Sequence, residues 1–86
     1  MIEYRFDHRI NSADASLFTV SPIFDDRVSI VEAKLGTKEL LEAMVESIKQ
    51  TDFNAPYEVK QATISGIVIW IFDRKVAAAF KMMWAK

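Results

Sequence analysis

Residues 64–84 read ISGIVIWIFDRKVAAAFKMMW, and the rest of the chain reads as cover for this unit. Ile67–Phe72 contains no polar residue. A half-buried strand alternates apolar and polar side chains, whereas a strand covered on both faces need not. The β-branched and aromatic residues here suit a pleated surface better than a helix. The run is therefore expected at the centre of a sheet. Asp73 follows, with a carboxylate suited to the free amides of a helix start. Val76, Phe80, Met83 and Trp84 recur at helical spacing, Ala77, Ala78 and Ala79 favour the helix, and Arg74, Lys75, Lys81 and Lys86 ring its other side. Lys86 also suits the negative end of the helix dipole.

A membrane span needs about 20 apolar residues. The apolar run here is shorter, and Asp73, Arg74 and Lys75 break it, so no membrane association is expected.

Upstream, Ile2–Ile10 alternates without a fault. Ile2, Tyr4, Phe6, His8 and Ile10 share one face, and Glu3, Arg5, Asp7 and Arg9 share the other. One face should meet a core and the other water. Asn11–Ser16 is a polar turn, and Leu17–Ser21 closes a hairpin before Pro22, which cannot donate to a ladder. Asp25 and Asp26 belong to the next turn. Arg27–Leu35 is expected to be a third strand. Gly36 and Thr37 should then open a helix, Thr37 capping it. Leu40, Leu41, Met44, Val45 and Ile48 form its apolar stripe. Thr51–Pro56 stops the helix. Tyr57–Ile64 reads as a fourth strand, joined to the next by a Ser65–Gly66 turn or by a bulge in one bent strand. The expectation is one α+β domain, a mostly antiparallel sheet of about five strands with two helices, in the order β-β-β-α-β-β-α.

Composition narrows function. With 86 residues, 51% of them apolar, and only two glycines and two prolines, the chain should fold compactly and spare some apolar surface. The absence of cysteine removes disulfide scaffolds, thiolate nucleophiles and cysteine zinc sites. The opening residues carry no export signal core, so an intracellular, cytoplasmic protein is expected. Isolated Gly36 and Gly66 make no phosphate-cradling loop. The lone histidine, His8, shares a strand face with apolar residues and reads as structural. Asp25 and Asp26 are too few for a calcium or two-metal site. No catalytic residue, metal or cofactor is expected.

Two binding readings remain. Two tryptophans, six phenylalanines and four methionines exceed what so small a core needs. The surplus points to a protein partner or to self-association, with Phe53, Met82 and Trp84 as anchors. The runner-up is an RNA- or single-stranded-DNA-binding module. Residues 73–86 carry a net charge of +3 against −4 for residues 1–72. In that reading Arg74, Lys75, Lys81 and Lys86 meet phosphate, while Phe80 and Trp84 would stack bases and Tyr4 and Arg5 would have to face the same groove.

Asp73, Phe80, Lys81 and Trp84 also make a pattern: a strand, an acidic residue, then a short helix bearing Phe-Lys-x-x-Trp. It resembles the ends of short accessory proteins of tailed bacteriophages to which no chemistry is assigned. Met82 and Met83 stand where Leu and a polar residue are common, and Ala85 where Gly is. The resemblance implies a viral origin and a role in the host cytoplasm, binding and altering a host protein.

Overall fold

The computed structural model describes residues 3–10 and 15–85. The elements are β1 (Tyr4–Ile10), β2 (Ser16–Pro22), α1 (Ile30–Thr51), β3 (Tyr57–Thr63), β4 (Gly66–Ile71) and α2 (Arg74–Trp84). The fold is α+β, with two helices and one antiparallel sheet of four strands in the order β1-β2-β4-β3. Ile2, the side chain of Ile10, residues 11–14 of the expected Asn11–Ser16 turn, and Lys86 lie outside the described residues.

The apolar run lies inside the sheet, β4 being bonded to β2 on one side and β3 on the other. Registers align the core rows: Phe6 with Val20 and Ile67, and His8 with Phe18, Ile69 and Val59. β3 keeps in step through a register shift between Val59 and Gln61, which returns Ala62 to the row of Ile67. Both helices pack on this one face. Phe18, Val20, Ile67, Ile69 and Ile71 are fully buried against Leu40, Met44, Ile48, Val76, Phe80 and Trp84.

The expected third strand does not form. Arg27–Leu35 passes into α1, which begins at Ile30 and runs for 22 residues. Ser29 is the cap, its Oγ accepting from the Glu32 amide at 3.2 Å, and Glu32 stands in the Ser-x-x-Glu position of a capping box. The buried stripe Ala33, Thr37, Leu40, Met44 and Ile48 runs straight through Gly36. Thr37 is therefore no cap. Its buried Oγ1 donates to the Ala33 carbonyl at 2.9 Å, which satisfies it inside the helix. Helical spacing over about four turns outweighs the local strand preference of Val28, Ile30 and Val31, because propensity is the weaker signal. The sheet thus has four strands rather than five, and the element order is β-β-α-β-β-α.

The β3–β4 hairpin forms, but its two turn residues are Ile64 and Ser65. Gly66 already pairs with Thr63. Gly66 leaves room for Ser21 on the neighbouring strand: a Cβ there would sit 3.2 Å from Ser21 Oγ. Asp73 caps α2 as expected, accepting from the Lys75 and Val76 amides at 2.9 and 3.1 Å.

Candidate interaction surface

With both helices on one side, the other face of the sheet has no covering layer among the described residues. Leu17, Val68 and Trp70 point there and are half-buried, and Phe72 follows at 40% exposure. The Trp70 and Phe72 rings lie nearly parallel, planes 9° apart and centroids 6.1 Å apart. Strand pairing fixes the surroundings. Trp70 lies between Leu17 and Glu58, and Val68 lies between Thr19 and Gln61. Outside them β1 adds exposed Arg5, Asp7 and Arg9. Arg9 pairs with Asp7 at 3.8 Å and Lys60 with Glu58 at 3.3 Å. The result is an apolar band with an aromatic stack at one end, bordered by charges of both signs.

This corrects the expectation that Ile67–Phe72 is covered on both faces. Ile67, Ile69 and Ile71 are fully buried, while Val68, Trp70 and Phe72 are not. No polar residue in that run marked the difference. The signal lay in β1, whose charged row Arg5, Asp7 and Arg9 shares a side of the sheet with Trp70. A sheet side that is wet at its edge strand has no layer over it there.

Of the expected anchors, Trp84 is excluded by burial. It is 7% exposed, its Nε1 donates to Ser47 Oγ at 3.2 Å, and its ring packs 5.3 Å from Tyr4 and 5.7 Å from Phe80. The Tyr4 hydroxyl donates to the Trp84 carbonyl at 2.9 Å, tying the end of α2 to β1, and desolvation raises the Tyr4 pKa. Phe53 and Met82 are strongly exposed, at 77% and 85%. They occupy different elements, Phe53 the loop after α1 with Lys49 Nζ 5.8 Å from its ring centroid, and Met82 the outer side of α2.

Arg74, Lys75 and Lys81 are exposed on α2, while Phe80 is fully buried. The phosphate-type cations of α2 and the available aromatic stack therefore stand on opposite faces of the sheet. Tyr4 faces the helices and Arg5 the open side, so these two do not share a groove either.

His8 lies on the helix side, stacked on Phe18 with centroids 4.5 Å apart, and its Nε2 is buried without a hydrogen-bond partner among the described residues. Desolvation, with Lys81 adding repulsion, lowers its pKa below the usual 6.5 against an opposing pull from Asp7. Neutral imidazole stacked on a phenyl ring is a packing element. Asp25 serves its turn, its Oδ1 accepting from the Arg27 amide at 2.9 Å. Among the described residues no group of three or more His, Cys, Asp or Glu is placed to hold a metal ion, and no helix is long and apolar enough to cross a membrane.

A second surface lies on the helix side. α1 and the β3–β4 hairpin bound a half-open, mainly apolar groove of about 480 Å³, lined by Lys34, Thr37, Lys38, Leu41, Ala62, Thr63 and Ile64. Beside it Val31 and Leu35 are 68% and 56% exposed. No family model matches the chain, and neither a curated protein nor a solved structure matches it.

Proposed function

We propose that this chain is a small non-catalytic binding protein that docks a protein partner on the uncovered face of its sheet. The observation that carries this is the Trp70–Phe72 stack in an apolar band beside Leu17 and Val68. Tryptophan in a partly desolvated patch ringed by polar residues is the usual anchor of a protein interface. The border charges alternate in sign, which favours a mixed-charge protein surface over a uniformly anionic backbone. Exposed Phe53 and Met82 are auxiliary contacts at most, and Trp84 is a core residue. The resemblance at Asp73–Trp84 extends the proposal to a viral accessory protein acting on a host protein in the cytoplasm.

The nucleic-acid reading rests on exposed Arg74, Lys75 and Lys81. It is the weaker of the two because the aromatics of α2 itself, Phe80 and Trp84, are buried in the core rather than open for stacking. Titration with single-stranded oligonucleotide at two salt concentrations separates the readings. No binding at low salt, with a bacterial protein retained by the wild type and lost on Trp70→Ala but not on Met82→Ala, is the expected result. Salt-sensitive micromolar oligonucleotide affinity that falls when Lys75 and Lys81 become Ala would overturn it.

A further inference from the structure

We infer that the outer edge of β1 is the seam of a two-fold dimer, which joins two copies of this chain into one continuous antiparallel sheet. The seam uses the strand edge rather than either sheet face, and it does not rest on the docking reading given above.

The first observation is the phase of the backbone bonds. The sheet order leaves β1 and β3 as its two edges. The Ile23 amide donates to the Glu3 carbonyl at 2.8 Å, which makes Glu3 and Ile23 a bonded pair of the β1–β2 ladder. Bonded and non-bonded pairs alternate along an antiparallel ladder. Arg5, Asp7 and Arg9 therefore bond to β2, and the amides and carbonyls of Phe6 and His8 point outward. The His8 amide agrees, since its acceptor is the exposed Asp7 Oδ1 at 3.0 Å rather than β2. β1 runs in unbroken register with β2 over seven residues, whereas the register of β3 shifts between Val59 and Gln61. A bulge blunts an edge against further pairing, and a regular strand leaves the edge a template.

The second observation is the charge order along that strand. Arg5, Asp7 and Arg9 are exposed on the open side, and Glu3 precedes them, so the sign alternates at every second residue. Their neighbours on β2 are Ser21, Thr19 and Leu17, none of them charged. Among the described residues the ion pairs within 4.0 Å are Arg9–Asp7, Arg27–Asp25 and Lys60–Glu58. Arg5 and Glu3 are in none of them, and the Arg9–Asp7 contact is long at 3.8 Å and well exposed. The complement to this row is therefore missing on the β2 side.

Together the two observations name the occupant. A two-fold axis normal to the sheet, passing beside Phe6, sets Phe6 against the partner's Phe6 and His8 against the partner's Tyr4. Outward backbone groups then meet outward backbone groups. On the open side Arg5 faces the partner's Asp7, and Glu3 faces the partner's Arg9. Each unlike pair occurs twice, as an isologous interface requires. One register alone meets both conditions. A slip of one residue sets outward amides against inward ones and reverses the side chains. A slip of two sets Arg5 against the partner's Arg5 and Glu3 against the partner's Asp7. In the other direction it sets Asp7 against the partner's Asp7 and Arg5 against the partner's Arg9. Like charges directly opposite destabilise a strand pair. A slip of four shortens the paired stretch. A row of alternating charge complements itself when read backwards, and a second copy of the same strand supplies that reading. On the helix side, half-buried Phe6 gains its own twin as a cross-strand aromatic neighbour. Both Trp70–Phe72 bands stay on the open side of the joined sheet.

Sedimentation equilibrium of the full chain from micromolar to millimolar concentration tests this, with circular dichroism to confirm folding of each variant. The wild type should dimerise. Arg5→Glu and Asp7→Lys should each weaken the dimer by about tenfold or more, since each sets two like-charge contacts across the axis. The chain carrying both changes should recover it. The register has its own readout, because the chain has no cysteine. Under mild oxidation, Arg5→Cys and Asp7→Cys chains mixed together should cross-link to each other far faster than Asp7→Cys chains to themselves. A wild type monomeric throughout overturns the proposal, as does a dimer indifferent to Arg5→Glu. Asp7→Cys chains that cross-link to themselves as fast as to Arg5→Cys chains also overturn it. A dimer abolished by Trp70→Ala alone would overturn it too and would move the second copy to the sheet face. Loss of protein capture on Trp70→Ala with an intact dimer supports two independent surfaces.

Discussion

The two sides of β4 carry equally apolar residues and have opposite fates. Ile67, Ile69 and Ile71 are fully buried under two helices, whereas Val68 and Trp70 are only half covered and Phe72 is more exposed still. The buried side gains its stability from shape, with Phe18 edge-on to Phe80 at 4.8 Å between ring centroids. The open side has a flat aromatic stack, and no described residue forms a layer above it. Hydrophobicity alone therefore does not say where a residue sits; the number of available layers does. The two helices of the described residues lie on the same side and supply one layer.

Removing side chains from each side tests this contrast most directly. Ile69→Ala should destabilise the fold by about 2–5 kcal/mol, by lost transfer energy and a cavity. Phe72→Ala on the open side should cost about 1 kcal/mol or less. Urea denaturation of both variants measures the gap. Equal losses would mean that the open side is covered in solution.

The start of α1 gives the next effects in size. Ser29→Ala removes the oxygen that accepts from Glu32 and should cost about 1 kcal/mol. Gly36 lies inside the helix without a positive φ, so Gly36→Ala should gain about 0.5–1 kcal/mol. Were residues 27–35 a strand, these signs would not hold.

The smallest effect is at His8, on the helix side. Its folded pKa lies below 6.5, so the unfolded chain binds more protons between the two values and stability rises with pH across that window. The contribution is complete above about 6.5 and is lost as pH falls toward the lowered folded value. His8→Phe should flatten that part of the pH–stability profile, as thermal melts at several pH values would record.

Much of the fold was legible because local patterns carried it. Strict alternation marked β1, the unbroken apolar run marked β4 as interior, and Asp73 announced α2 at its cap. The start of α1 was harder to read. Val28, Ile30, Val31 and Gly36 argue locally for a strand and a break, while Ser29-x-x-Glu32 and the stripe from Ala33 to Ile48 argue for a helix over a longer span. The candidate surfaces were less legible still. Phe53 and Met82 are as exposed as their positions suggest, but Trp84 is core, and Trp70 reads identically to its buried neighbours.

The order of residues by itself determined which segments pair and coil, since those choices depend on spacing and on caps within a few turns. Only the packed molecule decided that both helices share one face, that Trp70 and Phe72 are left uncovered, and that Ile30, Val31 and Leu35 at the start of α1 stay exposed. Those outcomes depend on the relative lengths of elements and on their connections, which no local stretch encodes.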